Sequence, residues 1–465
     1  MAQTANASDG AAFVSEHARR INQEPGIVIY DTSPTNGINF VAYTNHELMQ
    51  SLLPAAVALD PTYSYQAASR EGIQLRSGNY ERFFRFHLDG EIGAQQRAND
   101  SYSLYQHEGV VEFAQGPWGG QQNQAVVAVV VPGLREDTPL VEREDVVQLR
   151  QLRYNSTSGH LLLHHPDLSG RLNPVLSEVL LHPSSFHARP QRHQLRFNVQ
   201  FPVATHRYQP MYYVLPMIQA ALRRANEMTI PAQRMAELET GNWVSTYWTQ
   251  SMLFPTEADC DVQTNIDADI AIQARFDPAL NHEQCVAVAN VCSQNYGILP
   301  CLISGPQGTG KTKTLAADTL ADRLRPFFSP GEMLRLNRPA RGFAEVPESL
   351  LPYCYASNLS FGLPPMEKVM SYKIVVTSCR DASMLMHARL TNTDLHALEY
   401  GLRHRLHPSE PTPYPNQQLH WDALLIDEAA QATEPESLIP LWVVSPPLDS
   451  SNLVFTPLVV MAGGD

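Results

Sequence analysis

The sequence contains no Cys-x-x-Cys pair. Its six cysteines, Cys260, Cys285, Cys292, Cys301, Cys354 and Cys379, are scattered, and scattered free thiols suit a reducing intracellular compartment better than secretion. Positive charge is also short. There are 33 Lys and Arg against 47 Asp and Glu, for a formal net charge of −14, which argues against a protein that coats nucleic acid generally. Any nucleic-acid binding must use a local groove. Long apolar runs are missing. The longest, AVVAVVVPGL from Ala125, falls far short of the ~20 residues a membrane helix needs, so no membrane partner is expected. Residues Met1 to Arg20 lack a basic start followed by an apolar core, so no secretory leader is expected. The histidines between His160 and His206 show no ligand spacing and no cysteine partners, so they read as solvated or packed and not as a metal site.

What is present reads as a globular chain. Its 465 residues suffice for several domains of about 100–200 residues each. A hydrophobic content of 43% against 17% charged is enough to bury real cores.

The stretch Leu299–Thr314, LPCLISGPQGTGKTKT, organises the rest. Cys301, Leu302 and Ile303 read as a buried parallel strand. It breaks at Gly305, and GPQGTGKT fills G-x-x-x-x-G-K-[ST] with Gly305, Gly310, Lys311 and Thr312 in place. Gly305, Gly308 and Gly310 let backbone N–H groups curl round a phosphate, and the following helix points its positive end at the same anion. Pro306, Gln307, Thr309 and Lys313 complete the loop. Lys311 supplies a mobile cation to the outer phosphates of ATP, and the Thr312 hydroxyl a ligand for Mg²⁺.

A second motif lies 116 residues (427 − 311) after Lys311, in WDALLIDEAAQATEPES. ALLI reads as a buried strand, with Asp427 and Glu428 at its carboxyl end, where α/β sheets place ligand-binding residues. Asp427 would hold Mg²⁺, and Glu428 would orient and deprotonate an attacking water. On the preceding helical stretch, Gln284 could read an adenine edge through its amide. A helix-surface glutamine is the other reading of that residue.

The remaining organisation is coarser. Residues 1–77 carry short strand-like runs and no evident role. NYERFFRFHLDGEI reads as a helix or a long strand. GVVEFA, QAVVAVVVPGL, DVVQLRQL and HLLLHH then suggest a small β-barrel, giving a 78–206 accessory domain. Residues 207–275 read as a helical stalk, with Leu215, Ile218, Ala221 and Leu222 on one helix face. Residues 276–465 read as a P-loop α/β domain. Within it MLRLN and KIVVTSC are strands, separated by a Pro-rich, mostly helical insertion at about 326–370.

LNHEQ, GPQGTGKT, VVTSC, DEAAQ and GGD occur in the order used by superfamily 1 helicases of the nonsense-mediated-decay type. The chain most resembles the Armitage-type RNA-silencing and zinc-finger-helicase branch, over about residues 78–465. The resemblance implies a RecA-like parallel sheet with helices on both faces, preceded by the barrel and stalk. It also implies an ATP-driven 5′→3′ motor on single-stranded RNA, acting in RNA silencing or RNA turnover, in the cytoplasm or the nucleus. Gln284 would read adenine, Lys311 and Glu428 would serve catalysis, and Thr312 and Asp427 would hold Mg²⁺. Thr377 and Ser378 would lie near the nucleic-acid backbone.

The sequence departs from that family in three places. Gln307 stands where relatives carry a proline, which alters loop stiffness. A segment near Thr314–Ala316 that would supply a further strand and part of the RNA track is missing. The chain also stops just after GGD, so a second RecA-like domain is expected to be absent, with little hydrolysis and no unwinding. A non-motor nucleotide- or RNA-binding remnant, or a DNA-directed helicase of the same class, are the alternative readings.

Overall fold

The computed structural model describes residues 57–71, 74–115, 123–133, 139, 141, 145, 147–154, 161–163, 179–180, 193–227, 248–257, 282–293, 299–304, 317–339, 341–357, 360–406, 419–447 and 456–463. The chain is α/β, with helices, an antiparallel sheet and parallel sheets. It divides into two units, one of Phe86–Tyr208 and one of Met1–Arg85 with Gln209–Asp465. No helix among the described residues is long and apolar enough to cross a membrane.

In chain order, α1 (Tyr65–Glu71) and α2 (Tyr80–Ser101) come first. They are followed by β1 (Leu104–Gln115), β2 (Asn123–Val129), β3 (Gln148–Tyr154), β4 (Leu161–Leu163), β5 (Val179–Leu180) and β6 (His193–Gln200). Next are α3 (Gln209–Glu227), α4 (Trp248–Leu253), α5 (His282–Ser293), β7 (Cys301–Ser304) and α6 (Ala317–Leu324). Then come β8 (Met333–Arg335), β9 (Ala356–Ser357), β10 (Ser360–Phe361), α7 (Met366–Ser371) and β11 (Ile374–Val376). The last described elements are α8 (Ser383–His387), α9 (Asn392–Leu406), β12 (Ala423–Ile426), α10 (Glu434–Val444) and β13 (Leu458–Gly463).

In the smaller unit the sheet runs β2-β1-β6-β3-β4, with β5 added on β3. Its central strand β6 alternates, burying Phe197 and Val199 and leaving Arg196 exposed, as a half-buried antiparallel strand does. Phe197, Val199, Leu149 and Phe201 form its core. Gly109 of β1 lies under the Phe197 ring, where a Cβ would come within 3.0 Å of ring carbons. The pairings run as an open path, with none between β2 and β4 among the described residues.

The larger unit is built on helix packing and two short parallel sheets. Helix α3 buries Leu215, Ile218, Ala221 and Leu222, the face their spacing defines, and packs against α10. One sheet pairs β8 with β11, the other runs β12-β13-β7, and every pair is parallel. Helix α6 contributes Ala321 to a core with Met333, Val346, Leu350, Phe361 and Val376. Arg335 and Arg341 both bond the Asp318 carboxylate at the start of α6, and Arg335 is only 4% exposed. Burial raises the carboxyl's affinity for its proton, but the two guanidiniums prevail and hold Asp318 below the usual carboxylate range.

Two expectations need correction here. The stretch between β8 and β11 is not mostly helical. Phe343–Glu345 and Glu348–Tyr353 are 3₁₀ turns, β9 and β10 form a two-residue hairpin, and α7 is the one α-helix among the described residues. The prolines explain it. Pro347, Pro352 and Pro365 remove amide donors and interrupt any longer α-helix. The strands β7 and β12 form as expected but are not buried throughout. Leu302 is 72% and Leu425 65% exposed, because both strands lie on the outside of a three-stranded sheet whose buried member is β13.

Candidate functional site

The apolar run Ala423–Ile426 ends abruptly at two adjacent carboxylates. Asn392, at the start of α9, fixes the entry to this strand. Its amide donates to the carbonyls of Trp421 and Val444 at 2.8 and 2.7 Å, and its Oδ1 accepts the Trp421 N–H at 2.9 Å. Strand β12 therefore starts tied to the end of α10. At the other end, Ile426 pairs with Met461 of β13, while Gly463 of the same strand pairs with Ser304 of β7. Ile426 and Ser304, the last residues of β12 and β7, thus lie at the same edge of the sheet, with one strand between them. At about 4.8 Å per strand spacing they sit roughly 10 Å apart across the sheet. This carboxyl edge is where parallel sheets bind ligands.

The turn after β12 is tightly specified. Asp427 Oδ1 accepts the Glu428 N–H at 3.1 Å, while Asp427 Oδ2 is buried with no hydrogen-bond partner among the described residues. Glu428 takes a left-handed backbone, φ 53°, which a non-glycine residue adopts at a cost. Its carboxylate is held by Gln431, whose Nε2 donates to Oε2 at 2.9 Å. The Ala429 N–H donates to Ala462 O at 2.8 Å, stitching the turn to β13. There a Cβ at Gly463 would come 3.2 Å from the Ala430 Cβ, close enough that Ala430 would have to give way.

The donor set at Asp427 suits a hard divalent cation. A buried carboxylate oxygen with no partner is costly unless a cation or water meets it. No group of three or more His, Cys, Asp or Glu side chains converges among the described residues, so an ion here would also need ligands from phosphate, water or the loop after β7.

The sequence-predicted residues divide accordingly. Gly305, Pro306, Gln307, Gly308, Thr309, Gly310, Lys311, Thr312 and Lys313 lie outside the described residues, which stop at Ser304 and resume at Ala317. Gln284 is the third residue of α5. Thr377 and Ser378 follow β11, on the other parallel sheet. The Ser378 hydroxyl accepts the Asp381 N–H at 3.0 Å and caps that turn, while Thr377 Oγ1 is buried without a partner among the described residues. The turn approaches the start of α10. Burial first, then the Glu436 carboxylate, pushes the Cys379 thiol up to about 11. Sequence reasoning quoted DEAAQ without giving Gln431 a role, and its spacing of three residues from Glu428 was the available signal. The dependence of the turn on Gly463 had none.

No family model matches the sequence. Over 196 aligned residues the chain is 26% identical to the human protein named RNA helicase Mov10l1, a match covering 37% of this chain and 14% of that protein. It is 27% identical over 217 residues to the chicken protein named putative helicase MOV-10, covering 41% and 19%. It is 30% identical over 194 residues to the Drosophila melanogaster protein named probable RNA helicase armi, covering 37% and 16%. The similarity is to the Armitage-type helicases. The matched stretch spans less than a fifth of each relative's length.

Proposed function

We propose that this chain carries the nucleotide-binding half-site of an ATP-dependent RNA helicase, built on a P-loop RecA-like domain. The observation that carries the reading is the shared sheet edge. Ser304, just before the Gly305 motif in sequence, and the turn bearing Asp427 and Glu428 end strands one apart in a parallel sheet, and that turn keeps a buried carboxylate oxygen without a partner among the described residues. In this reading Lys311 and the loop amides hold the phosphates, Thr312 and Asp427 hold Mg²⁺, and Gln284 contacts the base. Bound Mg·ATP supplies a phosphoryl group whose charge is drawn off by the metal. Glu428, aimed by Gln431, orients a water and accepts its proton. The helicase names of the similar proteins support single-stranded RNA as the polymer partner, with Thr377 and the exposed Ser378 on its path. Single-stranded DNA is the alternative substrate, and a competition titration decides between them.

The test is an equilibrium titration of the purified chain with a non-hydrolysable Mg·ATP analogue. The unaltered chain is expected to bind, and Lys311→Ala to lose at least ~10-fold in affinity, the scale of a charge-assisted phosphate contact. Equal binding by both would overturn the reading.

A further inference from the structure

Tyr80, the first residue of α2, is fully buried. Its ring packs on Phe84 and Phe254, with centroids at 4.7 and 6.0 Å. Its hydroxyl donates to Glu434 Oε1, across 354 residues of sequence. Burial, and then that carboxylate, keep the phenol protonated by raising it far above its ordinary range. Glu434 is the first residue of α10, three positions after Gln431, which holds the Glu428 carboxylate. The backbone turns tightly on either side of that interval: Gln431 N–H donates to Glu428 O at 2.9 Å, and Glu436 N–H to Thr433 O at 3.0 Å. The start of α2 is gripped from a second side. Gln219 of α3 accepts the Glu81 N–H at 3.2 Å and donates to Ser77 O at 2.9 Å, and α3 packs on α10. The carboxylate turn is therefore joined to the first turn of α2 by the Glu428–Gln431 contacts, the short run of chain from Gln431 to Glu434, and the Tyr80–Glu434 hydrogen bond. That helix continues to Ser101, well into the residues of the smaller unit.

We propose that the Tyr80–Glu434 hydrogen bond couples the Asp427–Glu428 turn to α2, so that occupation of the turn by Mg-nucleotide changes the local stability of that helix. The inference rests on the nucleotide-site reading above. The turn is a fitting trigger. Glu428 sits in a left-handed conformation that is disfavoured for a side chain, and Asp427 carries a buried oxygen without a partner among the described residues. A ligand that satisfies the oxygen favours the arrangement seen here over any other, the differential interaction a switch requires. Tyr80 is thus a positioning residue, acting through Glu434 and touching no ligand.

The experiment is hydrogen exchange of the full chain with and without Mg·ADP, read on peptides within Tyr80–Ser101, beside a direct Mg·ADP titration. In the unaltered chain Mg·ADP is expected to slow exchange at the start of α2 by roughly tenfold. Tyr80→Phe removes that response while Mg·ADP affinity stays within about threefold, since the phenol is remote from the ligand. Glu434→Gln, which keeps an acceptor for the phenol, retains the response. Glu434→Ala loses it and tests the bond from the other side if Tyr80→Phe fails to fold. A response that survives both Tyr80→Phe and Glu434→Ala overturns the proposal. So does a chain that binds Mg·ADP with no change in α2. A chain that binds no Mg·ADP overturns the nucleotide-site reading itself, and the titration separates that outcome from the others.

Discussion

Replacing Asp427 by asparagine should make the free protein more stable and the liganded protein less so. Asp427 Oδ1 accepts the Glu428 N–H at 3.1 Å, and asparagine Oδ1 can do the same. The other oxygen is buried and without a partner among the described residues, and an unsatisfied buried polar atom costs about 1–3 kcal/mol, with charged groups at the upper end. Asparagine removes the charge and leaves a neutral donor in its place, so about 1 kcal/mol of that cost should be recovered. For a cooperative unit of roughly 150–250 residues this is a rise in Tm of about 2–4 °C. Saturating Mg-nucleotide works the other way. At a hundred times Kd it stabilises the unaltered chain by about 2.7 kcal/mol, and the variant should lose most of that gain because its amide is a poor Mg²⁺ ligand. Thermal scans of both proteins, with nucleotide alone and with nucleotide plus Mg²⁺, should therefore cross. An asparagine variant that melts lower when free, or keeps the full Mg²⁺-dependent shift, would refute the reasoning.

Three further outcomes follow from other contacts. Asp318→Ala leaves the buried Arg335 without its carboxylate and should cost about 3 kcal/mol in denaturant unfolding at neutral pH, as for a broken buried pair. Asp318 is held below its ordinary value, so its contribution is complete above an unfolded pKa of about 3.9 and is lost as pH falls through the lower folded value. The gap between wild type and variant should close only in acid. Gly463→Ala drives a methyl into Ala430 at 3.2 Å and should weaken Mg-nucleotide binding severalfold, with Ala430→Gly restoring it in a titration; no rescue would mean the close approach is not the cause. Burial pushes the Cys354 thiol up to about 12 and, with Glu436, Cys379 up to about 11. At pH 8 iodoacetamide should therefore label the half-buried Cys285 well before either, as read by peptide mass spectrometry.

The strands that lead into this candidate site were legible in the sequence because they are punctuated. Short apolar runs that end at glycine or at paired carboxylates favour strands, and β7 and β12 form where CLI and ALLI predict. What those runs could not tell was which strands lie outermost. The pairing order β12-β13-β7 leaves Leu302 and Leu425 open to solvent, and pairing order is a property of long-range contacts, not of local pattern. The stretch between β8 and β11 misled for a related reason. Its apolar content is high, but its prolines forbid sustained α-helix, and 3₁₀ turns bury Leu350, Leu351 and Tyr353 instead. Strand β6 was missed although Phe197 and Val199 alternate as a strand should, because Arg196 and Asn198 dilute its hydrophobicity. The bond from Tyr80 to Glu434 joins residues too far apart for any spacing rule to connect.

The most direct test of the account is calorimetric titration of the purified chain with Mg-bound ATP analogue, beside Lys311→Ala and Asp427→Asn. The account predicts saturable one-to-one binding by the unaltered chain. Lys311→Ala should lose that binding at least ~10-fold whether or not Mg²⁺ is present, and Asp427→Asn only its Mg²⁺-dependent part. Absence of binding by the unaltered chain, or the same affinity in all three proteins, would contradict it.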